Sequence, residues 1–147
     1  MKLNDYFESC SIAIEEPSKE KLGAFIDLYS SQVVIDTYDV IIMGVPDGRL
    51  SFGNENCSLA PNEIRKELYD LYAGDWILKI LDLGDLKIGA TIEDTYHAIE
   101  DVSHFFSQKN IFVFLTYLFQ NFHPIKTSTS YLLQIQRKFV FDFQIVF

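Results

Sequence analysis

Asp82 and Asp85 bracket Gly84 in the run "ILDLGDL". Two carboxylates this close in sequence could hold a divalent cation or divide general acid and base work between them. Aspartates that shape a turn and cap backbone amides satisfy the same pattern. A second candidate is the loop "GVPDGRLSFGNENCSLAP", with glycines at 44, 48 and 53. Its spacing is not the dinucleotide fingerprint G-x-G-x-x-G. Gly48 and Gly53 are separated as in a P-loop, but Asn54 and Glu55 stand where Lys and Ser or Thr are required, so nothing supplies charge for the outer phosphates. Turn glycines are the plainer reading. His97 and His104 lie two turns apart on one predicted helix, about 10 Å, too far to ligate one metal together. His123 sits beside Pro124 with no acidic neighbour. All three read as solvated or half-buried histidines, and Glu93, Asp94, Glu100 and Asp101 as a solvated helix face.

These groups need elements to position them. In "EEPSKEKLGAFIDLYSS", Pro17 suits a helix start, and Leu22, Phe25, Ile26 and Tyr29 share one face at helical spacing. Asp39 precedes "VIIMGV", a continuous apolar run of strand length that Pro46 ends, as expected of a strand covered on both faces. A second helix starts near Pro61, with Glu63 at the positive end of its dipole. Its predicted buried stripe is Ile64, Leu68, Leu71 and Tyr72; Arg65, Lys66, Glu67 and Asp70 face water, and Gly74 stops it. "WILKILDLGDL" predicts a strand over Ile77–Leu83, closed by Gly84. Thr91 and Asp94 then form a capping-box pattern for a helix with the stripe Ile92, Tyr96, Ile99 and Phe106, and "NIFVFLTYLF" predicts a third strand. The order β-loop-α-β-α-β predicts an α/β fold with a parallel sheet and right-handed crossovers. A long loop leaving a strand lies at the carboxyl edge of such a sheet, where α/β proteins place ligands.

Bulk properties bound the class. With 147 residues, 48% of them hydrophobic, the chain can bury one ordinary core. A formal net charge of -9 argues against nucleic acid or an anionic membrane surface as partner, since both require clustered Lys and Arg. The run Ile111–Phe119 is far shorter than the ~20 residues a membrane-spanning helix needs. Cys10 and Cys57 have no metal-type spacing, and "MKLNDYFESC" lacks the apolar core of a signal peptide, so a soluble cytoplasmic protein with reduced thiols is expected.

Taken in order, "VIIMGVPDGRLSFGNENCSLAPNEIRKELYDLY" and "ILDLGDLKIGATIEDTYHAIEDV" resemble the N-terminal part of the ureohydrolase family: arginases, agmatinases and formiminoglutamases. The G-V-P strand end, the glycine-rich loop, the "AP-x-x-IR-x-x-L" helix and the "D-x-GD" strand end carry the resemblance, over about residues 38 to 112. It is closest to the formiminoglutamase-like (formimidoylglutamase) branch, where an arginine after G-V-P and a "GN" loop are usual, here Arg49 and Gly53–Asn54. The resemblance implies a partial, truncated version of the three-layer α/β/α parallel sheet of the arginase-like fold. It also implies a hydrolase of linear amidines or guanidines, such as formiminoglutamate, arginine or agmatine, in which two manganese ions lower the pKa of a bridging water. That family's ligand motifs, "GG-x-H", "D-x-H-x-D" and "D-x-D", are absent from this sequence. No manganese, other cofactor, metal ligand or catalytic residue is therefore expected in this chain. Its substrate-side residues reduce to Arg49 and Asn54; Arg49 could pair with a substrate carboxylate through its planar fork, or form a surface ion pair of little energy.

After Asn110 the resemblance fails. The last 37 residues hold no glycine, one acid (Asp142) and 10 of the 22 aromatics; the preceding 110 hold 20 acids and all seven glycines. The expected organisation is thus residues 1–112 as part of a ureohydrolase-like domain and 113–147 as a divergent aromatic tail, from a shifted reading frame or truncated gene. A divergent β-hairpin is the competing reading, since "KFVFDFQIVF" partly alternates. Three functions stay open: an enzyme remnant inactive alone, a non-catalytic binding or assembly module, and an active hydrolase with unrecognised ligands. An open sheet edge and aromatic tail would favour self-association.

Overall fold

The computed structural model describes residues 1–9, 18–49, 55–75, 77–109 and 111–116. The expected helix start at Pro17, the loop residues Gly53 and Asn54, Cys10, His123 and the tail from 117 onward lie outside these. The described chain forms α1 (Leu3–Tyr6), β1 (Phe7–Glu8), β2 (Ile26–Leu28), β3 (Val40–Gly44), α2 (Ala60–Tyr69), β4 (Ile80–Leu86), α3 (Ile92–Ser107) and β5 (Phe112–Thr116). Short 3-10 turns cover Leu22–Phe25, Ile35–Thr37 and Glu55–Leu59.

The strands make one open, mostly parallel sheet in the order β1-β4-β3-β5. β2 and β1 share the other edge of β4: β2 runs parallel to it opposite Ile80–Asp82, and β1 runs antiparallel opposite Asp85–Leu86. From β3 the chain steps through α2 to β4 on one side. It then returns through α3, past β3, to β5 on the other. Two crossovers of the same hand taken in opposite directions place their helices on opposite faces, and the cores show it. Ile41, Met43 and Val45 pack with Leu81 and Leu83 against Ile99, Val102 and Phe106 of α3. Ile42 and Ile80 pack on the other face with Tyr69 of α2, Leu22 and Ile26. The continuous apolar run of β3 is thereby explained: each face has its own cover.

β4 is irregular where it matters. Ile42 pairs with Asp82 but Gly44 pairs with Asp85, so β4 carries one extra residue there, and Gly84 takes φ 86°. In a regular strand, residues three apart point to opposite faces. The bulge returns Asp85 to the same face as Asp82, the α2 side.

Several expectations need correction. The amphipathic pattern Leu22, Phe25, Ile26 and Tyr29 is not an α-helix. Leu22–Phe25 is a 3-10 turn that leads into β2, and the backbone of Leu22 donates to Leu71 O at 2.7 Å. Pairing with β4 outweighs local helix propensity there. The second strand runs from Ile80 to Leu86, through Gly84 rather than up to it, and Ile77 and Leu78 are exposed. On α2 the buried residues are Ala60, Pro61, Arg65 and Tyr69, while Leu71 and Tyr72, expected inside, lie beyond the helix and are exposed. The N-terminus of α3 matches its capping-box pattern, with Thr91 and Asp94 bonding reciprocally; Thr95 and Val102 join Ile99 and Phe106 on its buried face. Among the described residues no helix is long and apolar enough to cross a membrane.

Candidate functional site

Two polar clusters lie toward the carboxyl end of the sheet. The deeper one is built by the β4 bulge and by α2, whose buried positions Pro61, Arg65 and Tyr69 recur every fourth residue. Arg65, expected in water, is fully buried. Its Nε and Nη2 donate to Asp82 Oδ2 at 2.7 Å and Oδ1 at 3.1 Å, a bidentate pair. Nη1 donates to Asp85 Oδ1 at 2.5 Å and Nη2 also to the Gly84 carbonyl at 2.7 Å. Tyr69 OH donates to Asp82 Oδ2 at 2.6 Å, and the Gly84 amide to Asp82 Oδ1 at 2.8 Å. Each Asp82 oxygen thus accepts two bonds, which leaves it no lone pair for a proton or a metal. Asp82 as arranged therefore has no oxygen free for acid–base or metal chemistry; it both caps backbone, as one reading had it, and holds the arginine, while Asp85 engages the arginine through Oδ1. Burial by itself would lower the Arg65 pKa, but Asp82 and Asp85 outweigh it and hold the guanidinium charged, above the ordinary arginine value.

The second cluster sits at the carboxyl edge itself, where the chain leaves β3. Asp47, with a fully buried side chain, accepts from Arg49 Nε at 3.0 Å and Nη2 at 2.6 Å, and from the Arg49 amide at 3.1 Å. The other face of the same guanidinium spans to the β4–α3 loop: Nη1 donates to the carbonyls of Gly89 and Ala90, each at 3.0 Å, and Nη2 to Thr91 O at 3.1 Å and Thr95 Oγ1 at 2.9 Å. Arg49 therefore makes an ion pair, as one expectation had it, but with a buried partner, and each of its N–H groups already has an internal acceptor. A fork in this arrangement would have to release these partners before engaging a ligand carboxylate. Asp47, Thr95 and Gly89 were not singled out from sequence. The one local signal was the Asp-x-Arg spacing, which lets a carboxylate accept from the side chain and backbone of the residue two positions on.

The remaining candidates do not converge. His97 faces Glu100 at 3.9 Å and His104 lies 2.9 Å from Gln108, both as exposed neighbours along α3. Glu93, Asp94, Glu100 and Asp101 are exposed, as read. Cys57 is buried and free. A groove of about 370 Å³ lies between the N-terminal residues 1–5, Tyr29, Val33, Ile35 and Phe105. Among the described residues no three His, Cys, Asp or Glu side chains group as a metal site would require. Asp82 and Asp85, the one close carboxylate pair singled out from sequence, are turned onto a guanidinium, a donor set that does not fit a two-manganese centre.

The Asp47 carboxyl feels burial, which raises its pKa, but the bonds from Arg49 prevail and hold it below the usual carboxylate range. Asp94 is also held low, first by the Thr91 backbone amide. A depressed folded pKa contributes stability that is complete above the unfolded value of about 3.9 and is lost as pH falls through the folded value. The thermal midpoint is thus expected to fall below about pH 4, and to fall less steeply in Asp47→Asn. Equal slopes for the two proteins would refute this.

Set against known proteins, the chain matches no family model and has no significant match to a curated protein or a solved structure.

Proposed function

We propose that this chain is the N-terminal part of a ureohydrolase-like fold of the three-layer α/β/α type, nearest the formiminoglutamase branch, and that by itself it hydrolyses no amidine or guanidine. One observation carries the reading. The "AP-x-x-IR" helix and the "D-x-GD" strand end, two separate sequence features of the resemblance, meet in a single buried cluster through Arg65, Asp82, Gly84 and Asp85. Their joint occurrence thereby acquires a physical reason: a buried guanidinium requires both carboxylates, and the glycine bulge brings both to one face. The cluster is a scaffold, and the Asp82 carboxylate is fully occupied by that task. Hydrolysis would need a water activated near neutral pH by converging hard ligands. The described residues offer none.

The test is direct. The full chain, incubated with Mn2+ and arginine, agmatine or formiminoglutamate, is expected to release urea or formamide at the uncatalysed rate. Manganese-dependent turnover would overturn the inert reading. So would a stoichiometric, micromolar Mn2+ isotherm that disappears in Asp82→Asn or Asp85→Asn.

A further inference from the structure

Arg49 stands where helix electrostatics disfavour it, beside the positive end of the 16-residue α3. The local backbone reverses that. The chain turns so closely over the start of α3 that a Cβ at Gly89 would strike Asp94 and Thr95. The turn brings the carbonyls of Gly89, Ala90 and Thr91 onto one guanidinium. Thr95, almost fully buried, ties the same turn together by accepting from the Gly89 amide at 2.9 Å.

We infer that Asp47, Arg49 and Thr95 form a latch, through which residues 45–49 at the end of β3 and the loop leading into α3 open and close as one unit at the carboxyl edge of the sheet. The coupling follows from where the charges lie. Arg49 holds the β4–α3 loop with one set of donors and neutralises the buried Asp47 carboxylate with the other. If the β4–α3 loop moved away alone, the carbonyls of Gly89, Ala90 and Thr91 and Thr95 Oγ1 would each lose the bond from Arg49. If Arg49 left with it, Asp47 would be a buried charge without its ion pair, which is strongly unfavourable. A state with one loop open therefore costs nearly as much as a state with both open. This is a property of the edge on which the loops of a parallel sheet place ligands, and it stands whether or not the ureohydrolase reading does.

Amide hydrogen exchange on the full chain tests it, with Gly89, Thr91, Asp94 and Thr95 as reporters, since each of their amides bonds within the turn. Arg49→Gln and Asp47→Asn are each expected to speed exchange at all four reporters by about tenfold or more, with Leu81 and Leu83 unchanged. The double variant should exchange no faster than the faster single, because either substitution already releases the latch. Arg49→Lys should not restore protection, since one ammonium cannot span a carboxylate and three carbonyls. Acceleration confined to residues 45–49, additive effects in the double variant, or equal acceleration throughout the sheet would each overturn the latch. The last would mean that Arg49 supports the whole fold instead.

Discussion

Arg65→Met is expected to lower stability by about 3–5 kcal/mol, enough to unfold much of the chain at neutral pH if its total lies near the low end of the usual ~5–15 kcal/mol. The loss has little to do with side-chain volume, since methionine fills similar space. Asp82 would keep only Tyr69 and the Gly84 amide as donors, and Asp85 would lose Arg65 altogether. A buried carboxylate without its counter-charge is the costly product, whatever the intact pair contributes. Arg65→Lys should fall between: it returns the charge, but an ammonium cannot serve Asp82 bidentately while reaching Asp85 and the Gly84 carbonyl. Urea unfolding with the slope fitted for each variant measures both. A midpoint for Arg65→Met within experimental error of the parent would mean that water reaches these carboxylates freely.

The same residue shows where sequence reading stops. Helical periodicity found α2 and α3 because their signals are local: Pro61 at a helix start, and Thr91 with Asp94 as a capping pair. A continuous apolar run likewise located β3. The face of α2 was misjudged because hydropathy assigns every arginine to water. What buries Arg65 is a pair of aspartates 17 and 20 residues further along. Those aspartates stand out in the sequence, yet Gly84 between them gives the signal of a strand end, because a bulge and a strand end use the same residue type. Read together, an arginine four residues after Pro61 and two carboxylates flanking a glycine do point to one another. Leu22, Phe25, Ile26 and Tyr29 failed differently. Their spacing is helical, but partners 50 or so residues away on β4 and beside Leu71 decide the backbone. Arg49 was legible as a residue with something to do. What it does depends on carbonyls some 40 residues distant, and carbonyls leave no trace in a sequence.

Gly44→Ala is the second large effect expected. Gly44 closes β3 opposite Asp85, and its φ is ordinary, so the demand for glycine is one of space alone. A Cβ there would run into Asp85 Oδ1 and would stand 2.8 Å from Pro61 Cβ and 2.9 Å from Arg65 Nη1. Relief requires α2 to move outward or the Arg65–Asp85 bond to lengthen. Overpacking costs about 1–3 kcal/mol and a weakened charge-assisted hydrogen bond a further ~1.5–3 kcal/mol. Gly74→Ala offers the contrast: its φ is 57° and its nearest neighbour would be 3.7 Å away, so backbone conformation alone sets its cost, about 1–2 kcal/mol. A double-mutant cycle separates the two contributions at Gly44. In an Asp85→Ala background the carboxylate obstacle is gone, so Gly44→Ala should cost less there by about 1 kcal/mol or more. The gap that remains belongs to Pro61 and Arg65. If Gly44→Ala costs the same in both backgrounds, Asp85 is not held against the β3 backbone, and the close approach of strand end, bulge and helix that buries Arg65 would have to be looser than described.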